Sequence, residues 1–127
     1  MKKKQISYGT IKLPGYRQYR ERIIEDPSDI LYCLADRHKV TICYRNGKKL
    51  SCKVCLGYLE HWLDPCRFCR IHREEIINLS CVQEWHRERS IIVVNLPEDE
   101  YAVVAKRKKH EFLVAYQYFL SASGGLA

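Results

Sequence analysis

Short runs of strand-forming residues, separated by turn signals, dominate the hydrophobic pattern of the chain. Residues 30–34 form an apolar run, and residues 40–44 are rich in the β-branched and aromatic side chains that favour strands. Asn46-Gly47 follows closely and predicts a tight hairpin turn in which both residues take a positive φ. A return strand is expected over residues 48–54, so the pattern predicts an antiparallel hairpin.

The middle of the chain changes to a helical period. Leu56, Leu59 and Leu63 are spaced as one face of a short helix over residues 55–63, which an Asp-Pro pair then ends.

The second half of the chain returns to strand patterns and closes with a helix that has one apolar face. The predicted strands there are residues 68–78, 81–86, 90–96 and 101–105, with polar turns at residues 87–89 and 97–100. Together these elements predict a mostly β fold with minor α, in which antiparallel pairs predominate, with one short central helix and a C-terminal helix.

The stretch Arg-Ile-His-Arg-Glu-Glu-Ile-Ile-Asn, which begins at Arg70, combines a cationic start with an apolar end. Arg70, His72 and Arg73 are costly to bury without partners, whereas Ile76 and Ile77 favour a buried strand. We therefore predict one structured element that presents its cations at the surface.

A chain of 127 residues is expected to form one domain. We place the compact domain at residues 29–120, with an N-terminal extension over residues 1–28 and a mobile tail of small residues at 121–127. One apolar face in the extension predicts a short helix for dimerisation or for docking a partner. Its residues are Tyr16, Tyr19, Ile23 and Ile24.

The charge of the chain favours an acidic partner. There are 22 Lys and Arg residues against 15 Asp and Glu residues, a net charge of +7. Three cationic clusters lie where predicted strands start or stop: Arg37, His38 and Lys39; Arg70, His72 and Arg73; and Lys106, Arg107, Lys108 and Lys109. If they share one edge of a β-layered domain, they suit the phosphates of a nucleic acid, and the alternative is three unrelated solvated loops.

Two Cys-x-x-Cys pairs raise the question of a metal site. Cys52, Cys55, Cys66 and Cys69 have the spacing of a four-thiolate zinc site, although the glycine-rich turns that let such pairs converge are missing. A thiol redox switch and plain packing of small buried side chains are the alternatives, and packing is the interpretation that we favour. We therefore expect no cofactor.

The chain carries seven cysteines, an odd number, and no apolar run follows its basic N-terminus as a signal peptide core would. Free thiols and the lack of a long apolar stretch predict a cytoplasmic protein with no membrane partner. Phosphate loops and the usual hydrolase motifs are also missing from the sequence, so we do not expect an enzyme.

Several motifs occur together in a fixed order. They are Asp29-Ile30-Leu31-Tyr32, Asn46-Gly47-Lys48, the helix with Leu56, Leu59 and Leu63, Phe68-x-Arg70-Ile71-His72-Arg73, Ile76-Ile77-Asn78 and the basic stretch after the last hairpin. In this order and spacing, residues 29 to about 110 resemble the LytTR-type DNA-binding domain of bacterial transcription regulators. The Phe-x-Arg-Ile-His-Arg core is the most specific part of the resemblance.

The resemblance implies an elongated stack of small β-sheets that meets double-stranded DNA through loops in successive grooves. It also implies binding to imperfect direct repeats as two copies. By position, His38 with Lys39 takes the place of one major-groove reader, and His72-Arg73 that of the backbone contact. Lys106 or Arg107 takes the place of a second groove-reading arginine. The 28 residues that precede the domain are too few for the receiver domain that most relatives carry.

Two positions depart from the family pattern. Glu74 stands where the family has a small hydroxyl residue, and Ala105-Lys106 stands where Ser-Arg is common. Glu74 and Glu75 are expected either to reduce DNA affinity or to hold Arg70 or Arg73 in position. Two alternatives therefore stay open: a zinc-stabilised or redox-sensing interaction module whose basic face is incidental, and a partner-binding protein that has lost DNA binding.

Overall fold

The computed structural model describes residues 11–13, 22–24, 26–37 and 39–123. These residues form three antiparallel sheets and two α-helices, so the prediction of a mostly β fold is confirmed. Within the described ranges, neither helix is long and apolar enough to cross a membrane.

The largest sheet has five strands. They are β3 (Ile30–Asp36), β4 (Lys39–Tyr44), β5 (Lys49–Cys52), β6 (Phe68–His72) and β7 (Glu75–Asn78). The order across the sheet is β5-β4-β3-β7-β6, and every neighbouring pair is antiparallel. The stretch that begins at Arg70 is therefore not one element: it spans the end of β6, a turn and the whole of β7.

The turn between β4 and β5 differs from the predicted two-residue type. Gly47 has a φ of 87°, whereas Asn46 is not among the residues with a positive φ. The Gly47 N–H donates to the Tyr44 carbonyl (2.9 Å), and the Tyr44 N–H donates to the Lys48 carbonyl (2.9 Å). Because three residues lie between Tyr44 and Lys48, the turn needs only one left-handed residue, which glycine supplies without steric cost.

The predicted central helix is confirmed as α1 (Leu56–Trp62), with Cys55 and Leu63 at its two ends. Leu56, Leu59 and Leu63 are all buried, as their spacing requires.

A third layer is built from β8 (Glu84–Glu88), β9 (Ile91–Asn95) and β10 (Tyr101–Val104), in the order β10-β9-β8. Helix α2 (Lys109–Ala122) packs along β6 of the five-stranded sheet, and its fully buried Phe112 also meets Trp85 of this third sheet. The predicted polar turn at residues 87–89 is too early, because β8 continues to Glu88 and the chain reverses at Arg89, whose φ is 60°.

The core consists of two clusters on opposite faces of the five-stranded sheet. Adjacent strand residues point to opposite faces, and Ile76 and Ile77 accordingly belong to different clusters. Ile76 packs in the cluster that contains Leu59 of α1, and Ile77 packs in the one that contains Ile92 and Phe112. The sheet is thus covered on both faces, which leaves its turns and strand ends at the surface.

A two-stranded sheet of β1 (Ile11–Leu13) and β2 (Arg22–Ile24) completes the cluster around α1. Ile11, Leu13 and Ile24 are each at most 1% exposed, so the core includes residues before the domain start predicted at residue 29.

The predicted N-terminal helix and C-terminal tail lie only in part within the described residues. Ile23 and Ile24 lie in a strand rather than a helix, while Tyr16 and Tyr19 lie outside the described residues. At the other end, α2 extends to Ala122, and residues 124–127 also lie outside.

Candidate nucleic-acid interface

The turn between β6 and β7 is held by its own side chains. Arg70 donates from Nη2 to the Arg73 carbonyl (2.6 Å) and from Nη1 to Oε1 of Glu60 on α1 (3.0 Å). His72 Nδ1 accepts from the Glu74 N–H (3.1 Å). In that geometry the neutral imidazole carries its proton on Nε2, which leaves a donor free on the exposed ring. Arg70 therefore shapes the turn on which His72 and Arg73 are exposed.

Two backbone hydrogen bonds bring two other segments of the chain to this turn. The Ala35 N–H, at the end of β3, donates to the Glu74 carbonyl (2.7 Å). The Ala105 N–H, directly after β10, donates to the Ile71 carbonyl (2.8 Å). The β3–β4 turn, the β6–β7 turn and the segment after β10 therefore meet at one edge, which we call the basic edge.

The cations predicted to bind DNA divide into two groups at the basic edge. One group is exposed, with no side-chain hydrogen bond or ion pair to any described residue: Arg37, Lys39, Arg73, Lys106 and Arg107. The other group has intramolecular partners. Arg70 and His72 are bound as described above, Lys108 Nζ contacts Glu111 Oε2 (3.2 Å), and Lys109 Nζ donates to the Ser90 carbonyl (3.2 Å). His38 lies outside the described residues.

The acidic residues that depart from the family pattern do not hold the arginines. Within the described chain, neither Glu74 nor Glu75 forms an ion pair, and the partner of Arg70 is Glu60 instead. Glu75 is half-buried, and burial, followed by the nearby Glu100 carboxylate, raises its pKa to about 7. Glu60 has no signal in the sequence beyond its place on the polar side of a short helix, so sequence reasoning missed it.

The four cysteines of the two Cys-x-x-Cys pairs are not gathered into a site. Cys69 packs in the cluster around Phe112, whereas Cys52 packs against the cluster around Leu59, on the other face of the sheet. Cys55 and Cys66 are exposed, and burial raises the pKa of the Cys69 thiol to about 11. Among the described residues there is no group of three or more His, Cys, Asp or Glu side chains that could hold a metal ion. The zinc alternative thus finds no support in the described geometry.

Comparison with known proteins agrees with the fold and the motif order. The family model of the LytTr DNA-binding domain matches residues 20–117, which is most of the chain. The protein therefore belongs to the LytTr family of DNA-binding domains, a family defined by DNA binding and not by an enzymatic activity.

A solved structure similar to this chain is described as the LytTr DNA-binding domain of a methyl-accepting/DNA response regulator from Bacillus cereus. The TM-score is 0.70 at 18% sequence identity, and the match covers 84% of this chain and 95% of that one. At this identity the likeness concerns the fold. The comparison with curated proteins gives no match.

Proposed function

We propose that the protein is a sequence-specific regulator of transcription that binds double-stranded DNA through the basic edge. The observation that supports this most directly is the pair of backbone hydrogen bonds, from Ala35 to Glu74 and from Ala105 to Ile71, that unites three cationic segments. Exposed Lys and Arg side chains without intramolecular partners can neutralise phosphates and release counterions, which supplies most nucleic-acid affinity.

The proposed roles follow the division of the cations. Arg37 and Arg73 contact phosphates, and His38 and Lys106 read base edges in two grooves. Arg70, Lys108 and Lys109 position these segments through their intramolecular partners. Two copies bind imperfect direct repeats, the protein acts in the cytoplasm at the nucleoid, and residues 1–28 serve dimerisation or the docking of a partner.

The first test is selection of duplexes from a random library at moderate salt, using protein purified with reductant and without added metal. An enriched motif, above all one repeated in the same direction, is the expected result. Retention of DNA without any enriched sequence would overturn sequence specificity, and no retention would overturn DNA binding itself.

The second test replaces Lys106 by Ala on the selected duplex. A base reader should relax the preference at one position of the site, by about 1–3 kcal/mol. Lys48→Ala is the matched control. Lys48 is exposed in the turn at the other end of β4, and the substitution removes the same charge as Lys106→Ala does. If Lys106→Ala weakened binding to selected and random duplexes equally, its proposed role as a base reader would be wrong.

A further inference from the structure

The outer face of the β8-β9-β10 sheet is an open groove. Alternate residues of these strands point inward, into the cluster that the third sheet shares with the five-stranded sheet and Phe112 of α2, while the others point outward. The outward set encloses a volume of about 890 Å³ with an apolar floor. That floor is formed by Ile91, Val93 and Val103, and Tyr101 stands beside it with 68% of its surface exposed.

The groove is acidic although the chain as a whole is cationic. Among the described residues its lining includes Glu84, Glu88, Asp99 and Glu100 and no Lys or Arg, and His86 on the same face contacts Glu88 Oε2 (3.3 Å). Glu84 accepts from Asn95 (2.9 Å) and Glu100 from the Tyr32 hydroxyl (3.2 Å), so both carboxylates are held in place. A surface of this charge repels DNA, and its apolar floor with acidic walls suits an apolar protein segment with positive charge at one end.

Helix α2 carries an exposed apolar strip of the matching kind. Val114 and Tyr118 are 54% and 60% exposed. They follow the buried Phe112 by two and six residues, which places them roughly 200° and 240° around the helix from it. The exposed His110 and Arg107 precede the strip, and the acidic Glu111 beside it is paired with Lys108. The strip is therefore apolar with a cationic start.

The groove and the strip cannot meet within one molecule. Phe112 packs edge-on against Trp85 on the inner face of the sheet, at 6.4 Å between ring centroids. The groove lies on the opposite face of the sheet from Trp85, and the strip lies on the side of α2 away from Phe112, so the two surfaces face away from each other. Two such surfaces on opposite sides of one chain can meet only between copies, in a head-to-tail contact.

We propose that the acidic groove of one copy receives the exposed strip of α2 from a second copy. This inference rests on the proposed function, because copies on direct repeats are related by translation along the DNA, and a head-to-tail contact repeats in the same way. A strip of this length buries less than a standard stable interface of about 1,200–2,000 Å², so the contact is weak in free solution. Two sites on one duplex raise the effective concentration of one copy near the other to about the millimolar range. At that concentration a weak contact makes binding to the two sites cooperative.

The test compares binding to one selected site with binding to two sites in direct repeat. Wild-type protein should bind the second site more tightly than the first, by a factor in the range of about 5 to 150 that is typical of coupled sites. Tyr101→Glu alters the groove and Tyr118→Glu alters the strip, and both side chains are exposed enough for the variants to fold. Each variant should keep its single-site affinity and lose the cooperative factor.

A mixture of the two variants provides the decisive measurement. In one order of the pair, the Tyr118→Glu copy supplies an unaltered groove and the Tyr101→Glu copy supplies an unaltered strip, so cooperativity should return in part. Two matched controls should leave cooperativity unchanged. Leu120→Glu alters an exposed residue (41%) on another side of α2, and Glu98→Lys changes the charge of an exposed turn residue that does not line the groove.

Three results would overturn the proposal: non-cooperative binding by the wild type, cooperativity that survives in both variants, or a mixture no better than either variant alone. A wild-type protein that binds no single site would instead overturn the proposed function, so the two failures are distinguishable.

Discussion

The two ends of the β6–β7 hairpin lie in opposite environments. At one end, Asn78 is fully buried, and its side chain donates to the carbonyls of Ser28 (3.2 Å) and Ile30 (2.8 Å). Its Oδ1 accepts from the N–H (3.0 Å) and the hydroxyl (2.7 Å) of Ser80. At the other end, Arg73 is exposed and makes no side-chain bond within the described chain.

This contrast shows how a short motif is divided between folding and binding. A buried amide must find partners for all its polar atoms, and Asn78 finds them on two segments, residues 28–30 and Ser80. A cation that is to meet phosphate must instead remain without an intramolecular partner. The residues between these ends should grade from a stabilising role toward a binding role, and four substitutions test that gradient.

The largest expected effect is at the buried end. Asn78→Ala should lower the free energy of unfolding by about 3 kcal/mol, because it leaves the Ile30 carbonyl and the Ser80 N–H unsatisfied at roughly 1–3 kcal/mol each. Chemical denaturation measures this loss. Asn95→Ala is the control, since half-buried Asn95 makes one exposed hydrogen bond, to Glu84, and its loss should be under about 1 kcal/mol. Equal losses in the two variants would contradict the structural role of Asn78.

The next effect is at Glu75, where β7 begins. The pKa of Glu75 is raised to about 7 in the folded state. Between the ordinary carboxylate pKa and pH 7, the folded state therefore binds more protons at this side chain than the unfolded state does. Stability from Glu75 is therefore present at low pH and is lost as the pH rises through that window. Glu75→Gln should raise the free energy of unfolding at pH 8 by about 2 kcal/mol and change it little at pH 4.

Denaturation of Glu75→Gln at several pH values checks this window. The exposed neighbour Glu74 gives the matched control, because Glu74→Gln makes the same chemical change at an exposed position and should not reproduce the gain at pH 8. A gain for Glu75→Gln that is equal at pH 4 and pH 8 would show that burial of the charge is not the cause.

A smaller effect is expected at Arg70, whose guanidinium reaches the turn at the binding end of the hairpin. Arg70→Ala removes the bonds to Glu60 and to the Arg73 carbonyl, and should cost about 1 kcal/mol because the ion pair is partly exposed. DNA affinity should fall as well, since the turn loses the bond that shapes it. Glu60→Gln keeps the bond to the Arg73 carbonyl, so it should lower stability less and leave DNA affinity nearly unchanged. Full DNA affinity in Arg70→Ala would show that Arg70 does not position the turn.

The gradient along this hairpin also shows where sequence reasoning succeeds. Helix α1 and most strands from β3 to β10 follow from local periodicity, which does not separate β6 from β7 and does not find β1 and β2. The Arg-Ile-His-Arg motif together with the net charge leads to the correct family. Local patterns suffice to predict these elements, because the alternation of apolar residues in a strand and their spacing in a helix involve only residues close in sequence.

Contacts between distant segments could not be predicted in this way. The bond from Asn78 to Ser28 joins residues 50 positions apart, and Arg70 meets Glu60 across a helix and a strand. Such contacts determine which cationic side chains already have an intramolecular partner. The sequence therefore predicts a set of ten binding residues, of which four (Arg70, His72, Lys108 and Lys109) have side-chain partners among the described residues, and the role of His38 stays a prediction.

The smallest effect on stability is expected at the exposed end of the hairpin. Arg73→Ala removes no side-chain bond to any described residue, so the free energy of unfolding should change by less than about 0.5 kcal/mol. DNA binding should nevertheless weaken on selected and random duplexes alike, and the salt dependence should flatten by about one phosphate contact. Titrations at several salt concentrations measure the slope, with Lys48→Ala as the charge-matched control. A stability loss as large as that of Arg70→Ala, or an unchanged salt slope, would remove the contrast between the two ends, because Arg73 would then be a structural residue like Asn78.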